Sequence, residues 1–177
     1  MAPAAATAST RLAPPRRGEL WPNMDDLRSM LPALDGATTV PLVRELMADL
    51  ETPVSAFLKL WEDGPAFLLE SIEGGERLAR YSFIGTEPLQ TLSLQPGSAT
   101  TSSAEGSSTT ACHDPLSAIA DLIAPYEAAE IPGVTLPRFT GGAVGYLSYE
   151  AVRCFEPRVG EAPGTGRGLP LGSFMLV

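Results

Sequence analysis

With 177 residues, 44% hydrophobic and 19% charged, the chain is long enough to bury a core, and its composition argues against wholesale disorder. A formal charge of −9 with only 12 Lys and Arg spread along the chain argues against a nucleic-acid partner, since phosphate binding needs clustered cations. No apolar run approaches the about 20 residues that span a bilayer, so a soluble protein is expected.

Two distant cysteines, Cys112 and Cys154, lack CxxC spacing and point to a reducing compartment rather than a disulfide framework. The first 18 residues are rich in Ala, Pro, Ser and Thr, carry Arg11, Arg16 and Arg17, and contain no acid. That composition fits a disordered extension or an organelle transit peptide, although Pro3, Pro14 and Pro15 would interrupt an amphipathic helix. A start at Met24 would remove the segment. The expected division is therefore an extension over 1–23 and a single domain over 24–177.

From Val40 to Leu50 (VPLVRELMADL), Leu42, Val43, Leu46, Met47 and Leu50 recur at helical spacing and predict a helix. Thr52-Pro53 restarts the chain as N-cap and first helical residue, and SAFLKLW carries a second short helix to about Asp63-Gly64. Three strands are expected next, in Pro65–Ser71, Arg80–Gly85 and Leu89–Gln95. The turn signal Glu73-Gly74-Gly75-Glu76 joins the first two as an antiparallel pair. Pro96–Ala111, full of Gly, Ser and Thr, reads as a surface loop.

Asp114-Pro115 opens a helix with Leu116, Ile119, Ala120, Ile123 and Ala124 on one face. An extended connector, Glu130–Phe139, leads to Gly141–Glu150, where glycines within β-formers mark close backbone approach. After a Gly/Pro-rich stretch from Pro157 to Pro170, Leu171–Val177 reads as a strand cut off as it starts. The fold class is α+β: an antiparallel sheet, or two packed face to face, with flanking helices.

In PAFLLES, alternation sets Phe67, Leu69 and Ser71 on one face and Ala66, Leu68 and Glu70 on the other. If the Phe67/Leu69 face is buried, the Ser71 hydroxyl needs a partner, because an unpartnered one costs roughly 1–3 kcal/mol. A ligand amine or carboxylate would serve, and so would a nearby backbone group at the strand end. Arg77 and Arg80 can pair with Glu73 or Glu76 across the turn for under about 1 kcal/mol. His113 beside Cys112 offers too few ligands for a metal, and Gly141–Gly145 has no phosphate-loop spacing. Tyr146 and Tyr149 are expected to be core or interface aromatics.

Three blocks, TPVSAFLKL, FLLESIEGGERLARYSFIGTEP and LPRFTGGAVGYLSYEAVRCFEP, resemble in order and spacing the amino-terminal domain of anthranilate synthase component I. The resemblance runs from about Val40 to Val177. The related para-aminobenzoate-forming component carries a similar glycine-aromatic stretch, whereas LLES followed by GGERLARYSFIG favours the anthranilate member. In that family the Leu-Leu-Glu-Ser motif belongs to the L-tryptophan feedback site; the match carries over onto Leu68, Leu69, Glu70 and Ser71 and implies ligand-binding roles for Leu69, Glu70 and Ser71. Tyr81, on the partner strand, either supplies an aromatic wall for the indole or packs in the core.

The resemblance further implies a lyase that converts chorismate and glutamine-derived ammonia into anthranilate and pyruvate with Mg²⁺. A glutamine amidotransferase subunit would be its partner, and its location cytoplasmic, or plastid if 1–23 is a transit segment. Chorismate- and Mg²⁺-binding residues belong to a carboxy-terminal region that nothing here matches, so this chain alone is expected to be inactive and its Phe174–Val177 end exposed and aggregation-prone. A free-standing ligand- or subunit-binding module, or a gene fragment, fits the same residues.

Overall fold

A computed structural model of the chain describes residues 18–30, 36–70, 81–129, 136, 139–156, 158–160 and 169–177. Antiparallel sheets and helices make it an α+β fold, as expected. It divides into two compact units, Met1–Met47 with Pro125–Thr140, and Ala48–Ala124 with Gly141–Val177. The tight turn expected at Glu73–Glu76, its ion pairs and most of the 130–139 connector lie outside the described residues, as do most of 157–170 and residues 1–17.

In the first unit, β1 (Leu20–Trp21) pairs antiparallel with β2 (Val43–Arg44). Asn23 then starts α1 (Met24–Met30), its Oδ1 accepting from the Asp25 and Asp26 amides at 2.9 Å. Thr38 ties in the second segment by donating to the Pro125 carbonyl at 2.8 Å and accepting from the Glu127 amide at 2.7 Å. Trp21, Pro22, Met30 and Ala129 are buried.

The helix expected over 40–50 does not form. Val43–Arg44 extends to pair with β1 instead, and Leu42, Leu46, Met47 and Leu50 are all exposed. An isolated helix below about 12–15 residues is marginal unless its apolar face is buried, and this stripe stays largely exposed.

In the second unit, Thr52 and Pro53 open α2 (Pro53–Leu60) as expected. Thr52 Oγ1 accepts from the Ser55 amide at 3.1 Å, and Ser55 Oγ accepts in turn from the Thr52 amide at 2.9 Å. Lys59 and Ser55 both donate to Glu51, and in that order they hold its carboxyl below the ordinary glutamate range. β3 (Phe67–Glu70) and β4 (Ser82–Gly85) form a two-stranded antiparallel sheet, and α2 packs against both.

The remaining strands are β5 (Gln90–Gln95), β6 (Ser98–Ser103), β7 (Gly106–Ala111), β8 (Ala143–Leu147) and β9 (Gly172–Leu176). They build a five-stranded antiparallel sheet in the order β7-β6-β5-β9-β8. Thus the expected loop at 96–111 is two strands. Turns at Pro96-Gly97 and Ala104-Glu105 close its hairpins, and the β-prone threonines between them are paired. Hydroxyls bond across it, Thr100 with Thr109 at 2.9 Å and Ser107 with Ser102 at 2.8 Å. Low hydrophobicity hid these strands because β7 is an exposed edge.

Leu92, Leu94, Ala99, Gly172 and Leu176 share the buried face of this sheet. It is covered by α3 (Pro115–Ile123), a helix rather than a second sheet. Asp114 caps α3 by accepting from the Leu116 amide at 2.9 Å. The buried residues are Pro115 and Leu122, with Ala118 and Ile119 between them half-buried, whereas Leu116 is 54% and Ile123 37% exposed. The apolar face is therefore turned by one residue from the expected one, because Pro115 itself packs inward.

Ala151 is buried beside the short α4 (Val152–Phe155). Tyr146 and Tyr149, expected as core or interface aromatics, are 47% and 89% exposed, so neither is core. The Phe174–Val177 end is not the exposed tail expected either. It lies between β5 and β8, with Leu176 buried.

The buried and exposed faces of α3 are tested by urea denaturation. Leu122→Ala is expected to cost about 2–5 kcal/mol and Leu116→Ala no more than about 0.5 kcal/mol. Acid provides a second test. The Ser117 hydroxyl, then the Leu116 amide, hold the Asp114 carboxyl below its ordinary value. A depressed carboxylate stabilises the native state above its unfolded pKa, and that contribution disappears as pH falls through the folded one. Melting temperature should therefore drop as pH falls below about 4, and less so in Asp114→Asn, which keeps the cap without titrating.

Candidate ligand-binding site

The β3–β4 register decides what the Leu-Leu-Glu-Ser segment presents. Leu69 pairs with Phe83, Glu70 with Ser82, Leu68 with Ile84 and Phe67 with Gly85. Directly paired residues project to the same side of an antiparallel sheet, and alternate residues along a strand do likewise. One face therefore carries Phe67, Leu69 and Phe83, and period two adds Tyr81, next to β4. The other carries Leu68, Glu70, Ser82 and Ile84.

The first face is half open. Leu69 is 49% and Tyr81 59% exposed, and the Tyr81 and Phe83 rings lie 6.2 Å apart at 32°. This tilted pair with a leucine beside it is an apolar, aromatic surface of the kind that accepts a planar ring. The condition under which Ser71 would be a buried hydroxyl, a covered Phe67/Leu69 face, is met only at half-buried Phe67.

Of the residues expected at the site, Leu69 and Tyr81 are brought to one face. Glu70 is exposed on the opposite one, as alternation foretold, and Ser71 lies outside the described residues. Phe83 was missed. Its partnership with Leu69 depends on register, which the sequence leaves open until the turn length is known.

Gly85 holds this surface in shape. A Cβ at Gly85 would stand 2.2 Å from Cε1 of Phe67, so the ring lies over the bare glycine of the partner strand. Gly85→Ala should lift the ring and cost within the roughly 1–3 kcal/mol of overpacked sites. Wild-type stability of Gly85→Ala in urea denaturation would contradict this packing.

No family model matches the chain. Among curated proteins, it is 43% identical over 132 residues to anthranilate synthase component 1 of Acinetobacter calcoaceticus, a match covering 72% of this chain and 26% of that protein. The protein of the same name from Acetivibrio thermocellus is 35% identical over 156 residues, covering 88% and 30%. That of Pseudomonas aeruginosa is 40% identical over 143 residues, covering 80% and 28%. The chain thus spans 26–30% of the length of these curated relatives. Over the part that it spans, it belongs to the anthranilate synthase component 1 family.

Proposed function

We propose that this chain is the amino-terminal, L-tryptophan-sensing part of an anthranilate synthase component 1, and that the β3–β4 hairpin is its receptor. The observation that carries the reading is the shared face of Leu69, Phe83 and Tyr81, half exposed, at the Leu-Leu-Glu-Ser segment. The indole packs on that face, and Ser71 at the strand end supplies a hydroxyl to the amino-acid group. Glu70 lies across the strand and reaches the same ligand only through a bulge at the strand end.

In this reading the complete protein acts in the cytoplasm in tryptophan biosynthesis. It is a lyase that turns chorismate and ammonia into anthranilate and pyruvate with Mg²⁺, the ammonia coming from a glutamine amidotransferase subunit. The residues that would hold the Mg²⁺ belong, in this reading, to the carboxy-terminal part of the complete protein and not to the residues of this chain. None of the chemistry is assigned to them, and the chain alone is inactive.

The part played here is regulatory. Tryptophan inhibits only if it binds the inactive arrangement more tightly than the active one, and each tenfold of preference shifts the balance by about 1.4 kcal/mol. Calorimetry of the complete component 1 carrying this segment tests the site. L-tryptophan should bind, and Ser71→Arg and Tyr81→Ala should each weaken it by about tenfold or more, roughly 1.4 kcal/mol, while activity without tryptophan survives. Unchanged tryptophan inhibition in both variants would refute the assignment.

A further inference from the structure

β7 is an end strand of the five-stranded sheet, and all six of its residues are exposed. Its pairing with β6 fixes which backbone groups point outward. The Cys112 amide donates to the Gly97 carbonyl at 3.0 Å, so these two form a hydrogen-bonded pair in the register that sets Ser98 opposite Ala111. Such pairs alternate along an antiparallel ladder. Gly106, Ser108 and Thr110 therefore turn their N–H and C=O groups toward β6. Ser107, Thr109 and Ala111 turn theirs away from the sheet.

A free edge of this kind is ordinarily blunted by a lysine, a proline, a bulge or a covering element. The β7 sequence, GSSTTA, contains neither lysine nor proline, and its register with β6 runs without a break. Among the described residues nothing pairs with its outer side. The Ser107 and Thr109 hydroxyls bond back to Ser102 and Thr100, which leaves the outward backbone groups clear.

Symmetry and charge select the occupant. An antiparallel copy centred on Thr109 sets Thr109 against Thr109 and Ser107 against Ala111, so each outward donor meets an outward acceptor. Copies of a chain carrying −9 repel one another, yet from Gly97 to Cys112 the only charged residue is Glu105. The same register, continued past the strand ends, brings each Glu105 across from the second copy's His113, whose imidazole N–H can donate to the carboxylate. The two Glu105 side chains stand at opposite ends.

We propose that two copies of this chain associate through their β7 edges, antiparallel about Thr109, into one continuous sheet. A single strand pair covers less than the roughly 1,200 Å² of a stable interface, so the dimer forms weakly and reversibly.

Sedimentation of the 177-residue chain from about 10 μM to about 1 mM, with amide hydrogen exchange at both limits, tests this. The mass should rise toward that of a dimer. Exchange of the Ser107, Thr109 and Ala111 amides should slow about fivefold or more at the high limit, while Ser108 and Thr110 stay protected throughout. Thr109→Pro removes only an outward N–H, so it should keep the circular dichroism spectrum and weaken association about tenfold or more. A mass that stays monomeric overturns the proposal. So does association in which those three amides keep exchanging fast, since the contact then lies on another face.

Discussion

The second unit depends on one strand seated between two others. β9 is hydrogen-bonded to β5 on one side and β8 on the other. Bonds beyond the ladder hold both of its ends. The Leu171 amide donates to the Leu94 carbonyl at 2.7 Å, and Val177 and Gly142 exchange bonds at 2.9 and 2.8 Å. Two glycines make the seat possible. A Cβ at Gly145 would meet the Ser173 carbonyl oxygen at 2.0 Å, and one at Gly172 would meet Leu147 Cδ2 at 2.8 Å. With β9 in place, Leu92, Leu94 and Leu176 present one apolar face for α3. Without it, β8 has no partner and α3 loses part of its floor.

The hairpin answers to a different constraint, its register. Because side chains alternate across the strand, sliding β3 by one residue against β4 would put Leu69 and Tyr81 on opposite faces. The observed pairing keeps them together, and the Phe67 ring over Gly85 resists the slide, since other residues of β4 carry a Cβ where the ring must lie. A half-open aromatic surface therefore arises from two strands of four residues each, with α2 packed against the pair. The same geometry separates Leu69 from Glu70, two neighbours that the motif alone groups together.

Much of this was legible in the sequence where local chemistry acts. Thr52-Pro53 and Asp114-Pro115 mark helix starts because capping needs only adjacent residues. Alternation and β-propensity found β3, β4 and β5, and glycines announced the close approach in β8. Illegible parts were those decided at a distance. The 40–50 stripe carries helical spacing, yet two of its residues pair with Leu20–Trp21. β6 and β7 carry so few apolar residues that only their pairing with β5 and each other makes them strands. Likewise the inward packing of Pro115 rotates α3, and no periodicity reports which side the sheet lies on. Family resemblance singled out Leu-Leu-Glu-Ser, but it took the register to add Phe83.

The central claim is that this hairpin face is where an amino-acid effector rests. A crystal structure of the complete component 1 grown with L-tryptophan tests it most directly. The account places the indole against Leu69, Phe83 and Tyr81, with the amino-acid group at the β3 end near Ser71. Tryptophan bound without touching that face would contradict it.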